Sequence, residues 1–195
     1  MGAGVEATLE WDWEGLENYI RSGRQEKPVY KERPKDLITD FDFGPLSVQT
    51  EFLAFLEVMH EYASPEVREY IEEVVFKAFN VYFLTEGKNR KWKQYGAGVN
   101  DLPMTKEEAE EYEKSSDIMC ELSPTRVLKM YQISSNLNWD EHEELFLLAR
   151  KSKKKGYSVF WFREFERFKD YAQEWENCLK AAADINAGVS VYYYG

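Results

Sequence analysis

Cysteine is scarce in this sequence, with two residues among 195. Cys120 and Cys178 lie among apolar neighbours and are too few to form a disulfide framework. We therefore expect two free thiols and a reducing compartment.

Histidine is equally scarce, with two residues, and this limits metal and nucleophilic chemistry. Glu57 and His60 form a Glu-x-x-His motif, but di-iron bundles need two such motifs and two further glutamates. The other histidine, His142, has Trp139 where the second glutamate is required. A catalytic site assembled from distant residues stays open, although no G-x-S-x-G motif supports one. We expect no metal, no cofactor and no catalytic residue.

Long apolar runs are absent from the sequence. A membrane span needs roughly 18 apolar residues, and the N-terminus lacks the basic and apolar regions of a signal peptide. These absences predict a cytoplasmic protein without membrane contact. Hydrophobic residues still make up 44% of the chain, which is enough for a packed core. Because no linker divides the chain, we expect one globular domain over 1–195.

Basic residues are outnumbered by acidic ones, 25 to 36, which gives a net charge of −11. Nucleic acids and anionic membranes repel a protein of this charge. The composition therefore argues against direct nucleic-acid binding and favours a basic protein as partner.

The strongest pattern is an aromatic stretch at 156–183. Six residues recur at helical spacing and share one face of a helix: Trp161, Phe165, Phe168, Ala172, Trp175 and Leu179. We predict a central core helix, secure over 165–179. At its start, residues 157–162 (YSVFWF) also fit a strand, so both alternatives stay open there.

Apolar residues alternate with polar ones at both ends of the chain, over 4–13 at Val5, Ala7, Leu9, Trp11 and Trp13 and again at Val189, Val191 and Tyr193. This period of two is typical of a half-buried strand. We predict a strand at each end, and the two are candidates to pair with each other.

Cap residues mark the starts of helices between these strands: Asp12, Ser47, Ser64, Thr105, Ser123 and Asn138. Ser64 and Ser123 each precede a proline, which is favoured at the first helical position. The helix that starts at Ser64 is predicted to end at Gly87. The fold class predicted is mainly α with about six or seven helices, and α+β with a small terminal β element is the alternative.

Residues 86–104 (EGKNRKWKQYGAGVNDLPM) show no periodicity, and irregular loops of this length are often functional. Cations and aromatics, including Trp92 and Tyr95, precede a Gly-Ala-Gly sequence. The sequence after these glycines does not fit a dinucleotide fingerprint. One functional hypothesis is nonetheless a small-ligand or nucleotide-binding protein, or an enzyme, that uses this loop.

The acidic residues fall in four clusters, most of them on predicted helices, and one of these clusters includes Glu66 and Glu69. Such clusters are common on solvated helix faces, but they can also imitate a phosphate backbone and occupy a basic channel. The leading hypothesis is a non-catalytic acidic protein-binding domain. Its most concrete form is an inhibitor of a nucleic-acid-binding effector, a nucleic-acid mimic of the counter-defence or immunity type. The predicted partner-binding residues combine acidic clusters with two loop aromatics: Glu107, Glu108, Glu110, Glu111, Asp140, Glu141, Glu144, Trp92 and Tyr95.

Overall fold

The computed structural model describes residues 4–23, 25, 29–79, 81–84, 91–94, 101–102, 105, 107, 118–151 and 162–194. These residues form helices and an antiparallel sheet, so the fold is mixed α+β rather than purely helical. The α+β alternative is therefore the one that fits.

Six strands lie within the described residues: β1 (Gly4–Glu10), β2 (Asp40–Pro45), β3 (Val81–Leu84), β4 (Lys91–Gln94), β5 (Ile118–Leu122) and β6 (Gly188–Tyr194). Four of them form an antiparallel sheet in the order β2-β1-β6-β5, and β3 pairs with β4 separately. The two predicted terminal strands are confirmed, but the predicted extension of the first strand to Trp13 is wrong, because β1 ends at Glu10 and Trp13 begins a helix. The two terminal strands pair with each other in the sheet, with Ala7 opposite Val191.

Six helices lie in the same part of the chain: α1 (Trp13–Arg21), α2 (Leu46–Tyr62), α3 (65–79), α4 (Pro124–Asn136), α5 (Glu143–Lys151) and α6 (Phe165–Asp184). Helix α3 begins at Pro65–Glu69, continues as the π-helical segment Tyr70–Phe76 and ends in Lys77–Phe79. A 3-10 helix at Trp139–His142 leads directly into α5.

Local capping chemistry explains several of these helix starts. Asp12, Ser123 and Asn138 each precede a helix and accept a hydrogen bond from a backbone N–H in its first turn, at 3.2, 3.4 and 3.2 Å. These three predicted caps are confirmed. The predicted cap at Ser47 is wrong, because α2 begins one residue earlier, at Leu46.

The predicted end of α3 is also wrong. The helix ends at Phe79 and not at Gly87, because 81–84 pairs with β4 as a strand. The helix predicted to start at Thr105 falls almost entirely outside the described residues.

The predicted core helix is confirmed as α6. Its residues at helical spacing are buried: Phe165, Phe168, Ala172, Trp175 and Leu179. Phe162 precedes the helix and is also buried, 5.9 Å from the ring of Phe168. Trp161 and the rest of 157–161 lie outside the described residues, so the choice between strand and helix there stays open.

The core lies between one face of the sheet and the helices. Val5, Ala7 and Leu9 of β1 are fully buried on that face. Rings from α2 and α6 meet above it, with Phe52 and Tyr171 4.7 Å apart. The alternate residues of β1 are polar and point to the opposite face of the sheet: Glu6, Thr8 and Glu10.

Helix α1 approaches the sheet closely at Gly188. A Cβ atom built there would lie 2.2 Å from Cε3 of Trp13 and 2.7 Å from the carbonyl oxygen of Leu122. Only glycine leaves room for this contact.

Candidate functional site

The predicted partner-binding residues divide into described and undescribed groups. Glu107 is described and exposed. Trp92 belongs to β4, although its side chain is outside the description. The remaining residues of the loop and first acidic cluster lie outside the described residues: Glu108, Glu110, Glu111 and Tyr95.

Asp140, Glu141 and Glu144 are brought together at the start of α5, and all three are exposed. Asn138 shapes this acidic turn: its Oδ1 caps the 3-10 helix and its Nδ2 donates to Glu141 Oε1 at 2.8 Å. Trp139 anchors the turn to the core, with its ring 5.0 Å from that of Phe168. The turn that carries these carboxylates is therefore held in place by the Asn138 hydrogen bonds and by the Trp139 ring.

Helix α5 also carries apolar side chains on its outer face. Phe146 and Ala149 face the core, whereas Leu147 and Leu148 are 38% and 46% exposed. Glu143 and Glu144 lie one turn before these leucines on the same outer face. Acidic and apolar groups therefore share one solvent-facing strip of α5.

Part of this charge is neutralised within the molecule. Lys169 on α6 contacts the carboxylate of Asp140 and lies 3.0 Å from Glu166. Glu141, Glu143 and Glu144 form no ion pair with any described residue. Their charge is the part of the acidic turn that stays available to a partner.

A groove of about 360 Å³ lies between the start of α3 and the end of α4. Glu66 and Glu69 form one wall, and Gln132 and Asn136 stand on the other. Half-buried Ile133 and Leu137 supply its apolar part. The volume falls in the lower part of the range of roughly 300–1,000 Å³ that small-ligand pockets occupy.

The groove has a negative balance of charge. Lys129 also lines it, but the Lys129 Nζ lies 3.3 Å from Glu73 Oε2, which is also bound by Lys77 at 2.6 Å. Neither Glu66 nor Glu69 forms an ion pair with a described residue. The last turn of α4 adds partial negative charge from its carbonyl groups.

The groove and the acidic turn are neighbours. Leu137 lines the groove, and Trp139, two residues further on, packs edge-on against Tyr70 with ring centroids 5.2 Å apart. Tyr70 directly follows Glu69 and begins the π-helical segment. Such π-helical segments are frequent at functional sites. We call the combined region the acidic helical surface: the groove, the acidic turn and the outer face of α5.

Sequence reasoning did not find the groove. The Ser64-Pro65 start of α3 and the Ser123-Pro124 start of α4 are visible in the sequence, but the packing of these two helices against each other is not. The sequence shows the acidic residues of α3 as a cluster, but it does not show that the end of α4 faces them.

A second polar site lies on the outer face of the sheet. Ser190 Oγ donates to Glu10 Oε1 at 2.6 Å, and Tyr192 Oη lies 3.3 Å from the same oxygen. Burial raises the pKa of Glu10 above its ordinary value, the hydrogen bonds from Ser190 and Tyr192 partly oppose this, and nearby Asp40 adds to the rise. Ser190 is fully buried, so it presents no nucleophile to a substrate. These hydrogen bonds therefore link strands β1 and β6 of the sheet.

No family model, no curated protein and no solved structure matches the chain. Among the described residues, no three His, Cys, Asp or Glu side chains are grouped so that they could hold a metal ion. No helix in that part of the chain is long and apolar enough to cross a membrane.

Proposed function

We propose that the protein is a non-catalytic binding domain that docks onto a basic protein through its acidic helical surface. The observation that carries the proposal is the outer face of α5, where exposed Glu143 and Glu144 lie one turn before exposed Leu147 and Leu148. Exposed Glu141 in the adjoining turn and exposed Glu66 and Glu69 in the groove add carboxylates, and none of the five forms an ion pair with a described residue. A basic partner would neutralise the carboxylates, and burial of Leu147 and Leu148 would stabilise the complex.

The exposed carboxylates and the two leucines would contribute to binding in different ways. Exposed carboxylates gain little from ion pairs in water, but they steer a cationic partner and fix its orientation. The leucines supply non-directional apolar contact once water is excluded. The surface therefore favours a partner whose basic side chains surround an apolar patch.

The most concrete form of this function is inhibition of a nucleic-acid-binding effector. The basic channel of such an effector is complementary to carboxylates held on rigid helices, and occupation of the channel would exclude its nucleic acid. The net charge of −11 supports this form, because the protein itself would not compete for the nucleic acid.

The test starts from capture of a partner from cell lysate and proceeds to titration of the purified partner at low and high salt. We expect the affinity to fall as salt rises, because ionic screening weakens contacts between exposed charges. Nucleic acid bound by the partner should compete with the protein. An affinity that is unchanged between low and high salt would overturn the proposal.

A matched pair of variants localises the interaction. Glu141→Gln with Glu144→Gln removes two charges from the acidic turn, and Glu32→Gln with Asp36→Asn removes two exposed charges between α1 and β2. At physiological salt the Debye length is about 8 Å, so distant charges contribute little. The first variant should bind more weakly, and the second should bind like the wild type. Equal weakening by both would show a general charge effect and no docking surface.

A further inference from the structure

The α3–α4 groove has the features of a site for one long cationic side chain. We propose that it receives an arginine of the basic partner, with the guanidinium group at Glu66 and Glu69 and the methylene stem over Ile133 and Leu137. This inference rests on the proposed function, because it takes the ligand to be a side chain of that partner.

The lining of the groove matches arginine in both of its parts. Ile133 and Leu137 are half-buried and offer apolar surface to a three-carbon stem. Glu66 and Glu69 are exposed carboxylates one turn apart on α3. A planar guanidinium has five N–H donors and fits carboxylates in a bidentate manner.

Acceptors on the opposite wall complete the match. Gln132 and Asn136 project from the last two turns of α4, and their side-chain oxygens accept hydrogen bonds. The carbonyl groups that end α4 favour a cation at this position. A guanidinium between the two walls would therefore have acceptors on both sides.

Two positive features of the groove restrict where the cation sits. The N-terminal turn of α3 begins at Pro65 and offsets part of the charge of Glu66, whereas Glu69 lies beyond that turn. Lys129 is held by Glu73 at 3.3 Å. The strongest negative potential is therefore expected between Glu69 and the end of α4.

The test uses the full chain and a small probe, Nα-acetyl-arginine amide. Its binding is followed by NMR at the side-chain amide resonances of Gln132 and Asn136, which report from inside the groove. The uncharged analogue Nα-acetyl-citrulline amide controls for shape, and Nα-acetyl-lysine amide tests the requirement for a planar cation. We expect saturable shifts with the arginine probe, weaker shifts with lysine and none with citrulline.

The variant Glu66→Gln with Glu69→Gln should weaken binding of the arginine probe by about tenfold or more, because it removes both charge-assisted contacts. Glu32→Gln with Asp36→Asn is the charge-matched control away from the acidic helical surface, because both side chains are exposed, and this variant should bind as the wild type does. Absence of shifts in the wild type, or equal binding by the groove variant, overturns the inference. Equal binding of lysine and arginine overturns the choice of arginine.

Failure here differs from failure of the proposed function. A salt-dependent complex with the purified partner that is insensitive to Glu66→Gln and Glu69→Gln would refute the groove and leave the docking surface in place. A salt-independent complex would refute the docking surface itself.

Discussion

Carboxylates occupy two contrasting regions of this molecule. Near the sheet, Glu10 and Asp12 are largely withdrawn from water and accept hydrogen bonds from other elements. On the acidic helical surface, Glu69 and Glu144 are exposed and have no ion pair with a described residue. The same chemical group is therefore enclosed by the fold in one region and stays available for binding in the other. Burial and hydrogen bonding separate the two roles, and sequence composition does not.

The largest effect is expected at Asp12. Its side chain is 6% exposed and accepts hydrogen bonds from the backbone N–H of Gly15 at 3.2 Å and of Lys31 at 2.7 Å. Asp12→Ala should lower the free energy of unfolding by about 2–3 kcal/mol, through loss of the helix cap and of the Lys31 contact. Urea unfolding measures this change. A loss as small as that of an exposed carboxylate would erase the contrast between the two regions.

Asp12→Asn separates the two contacts, because asparagine Oδ1 can still cap at Gly15, whereas its Nδ2 cannot accept from the Lys31 N–H, so this variant should retain only the part of the stability that comes from the cap. Burial acts to raise the pKa of Asp12, but the hydrogen bonds from Lys31 and Gly15 outweigh this effect. They hold the pKa of Asp12 below the ordinary aspartate value of 3.8. The stability gained from the charge is therefore present above pH 3.8 and is lost as the pH falls through the lowered pKa.

A smaller loss is expected at Asp101, which ties its segment to the start of α4. Arg126 donates to both Asp101 oxygens, with Nη2 to Oδ1 at 2.8 Å and Nε to Oδ2 at 2.9 Å, and the Ser123 N–H donates at 2.8 Å. Asp101→Asn should cost about 2 kcal/mol, since hydrogen bonds between charged groups are the stronger class. Thermal unfolding checks this value. A cost near zero would group Asp101 with the exposed carboxylates.

Glu10 tests the contrast in the opposite direction. Because burial raises its pKa, the ionised form is disfavoured in the folded protein, and Glu10→Gln should stabilise the fold at neutral pH by up to about 1 kcal/mol. Glutamine can still accept from Ser190 and Tyr192. The advantage should shrink as the pH falls through the raised pKa and vanish near the ordinary value of 4.5, since wild-type Glu10 then becomes neutral. Unfolding measured across this pH range gives the answer, and an advantage independent of pH would contradict it.

Sequence reasoning succeeded where the determinants are local. The alternation at Val5, Ala7 and Leu9 predicted β1, and the helical periodicity over 165–179 predicted α6. Both predictions succeed because an element that buries one face has apolar residues at a regular spacing in the sequence. The Ser123 cap was visible for the same reason, since a cap and its helix are adjacent in the chain.

The missed features depend on partners far away in the chain. Strands β2 and β5 are short, and each becomes a strand by pairing with β1 or β6. The bond between Ser190 and Glu10 spans 180 positions, and the groove forms only when α3 packs beside α4. A single sequence does not show which distant segments pair. The sequence therefore shows the acidic cluster that contains Glu66 and Glu69, but it does not show the groove that these residues line.

The smallest effect on stability is expected on the acidic helical surface. Glu141→Gln with Glu144→Gln should change the free energy of unfolding by no more than about 0.5 kcal/mol. The lost attraction to the N-terminus of α5 opposes the relief of repulsion among neighbouring carboxylates. Chemical denaturation measures this difference, with Asp12→Ala as the reference for a carboxylate that supports the fold. A loss above about 1 kcal/mol would mean that the turn needs these charges to fold. A stable variant with weakened partner binding would instead separate folding from docking, because the charges removed would then matter only to the complex.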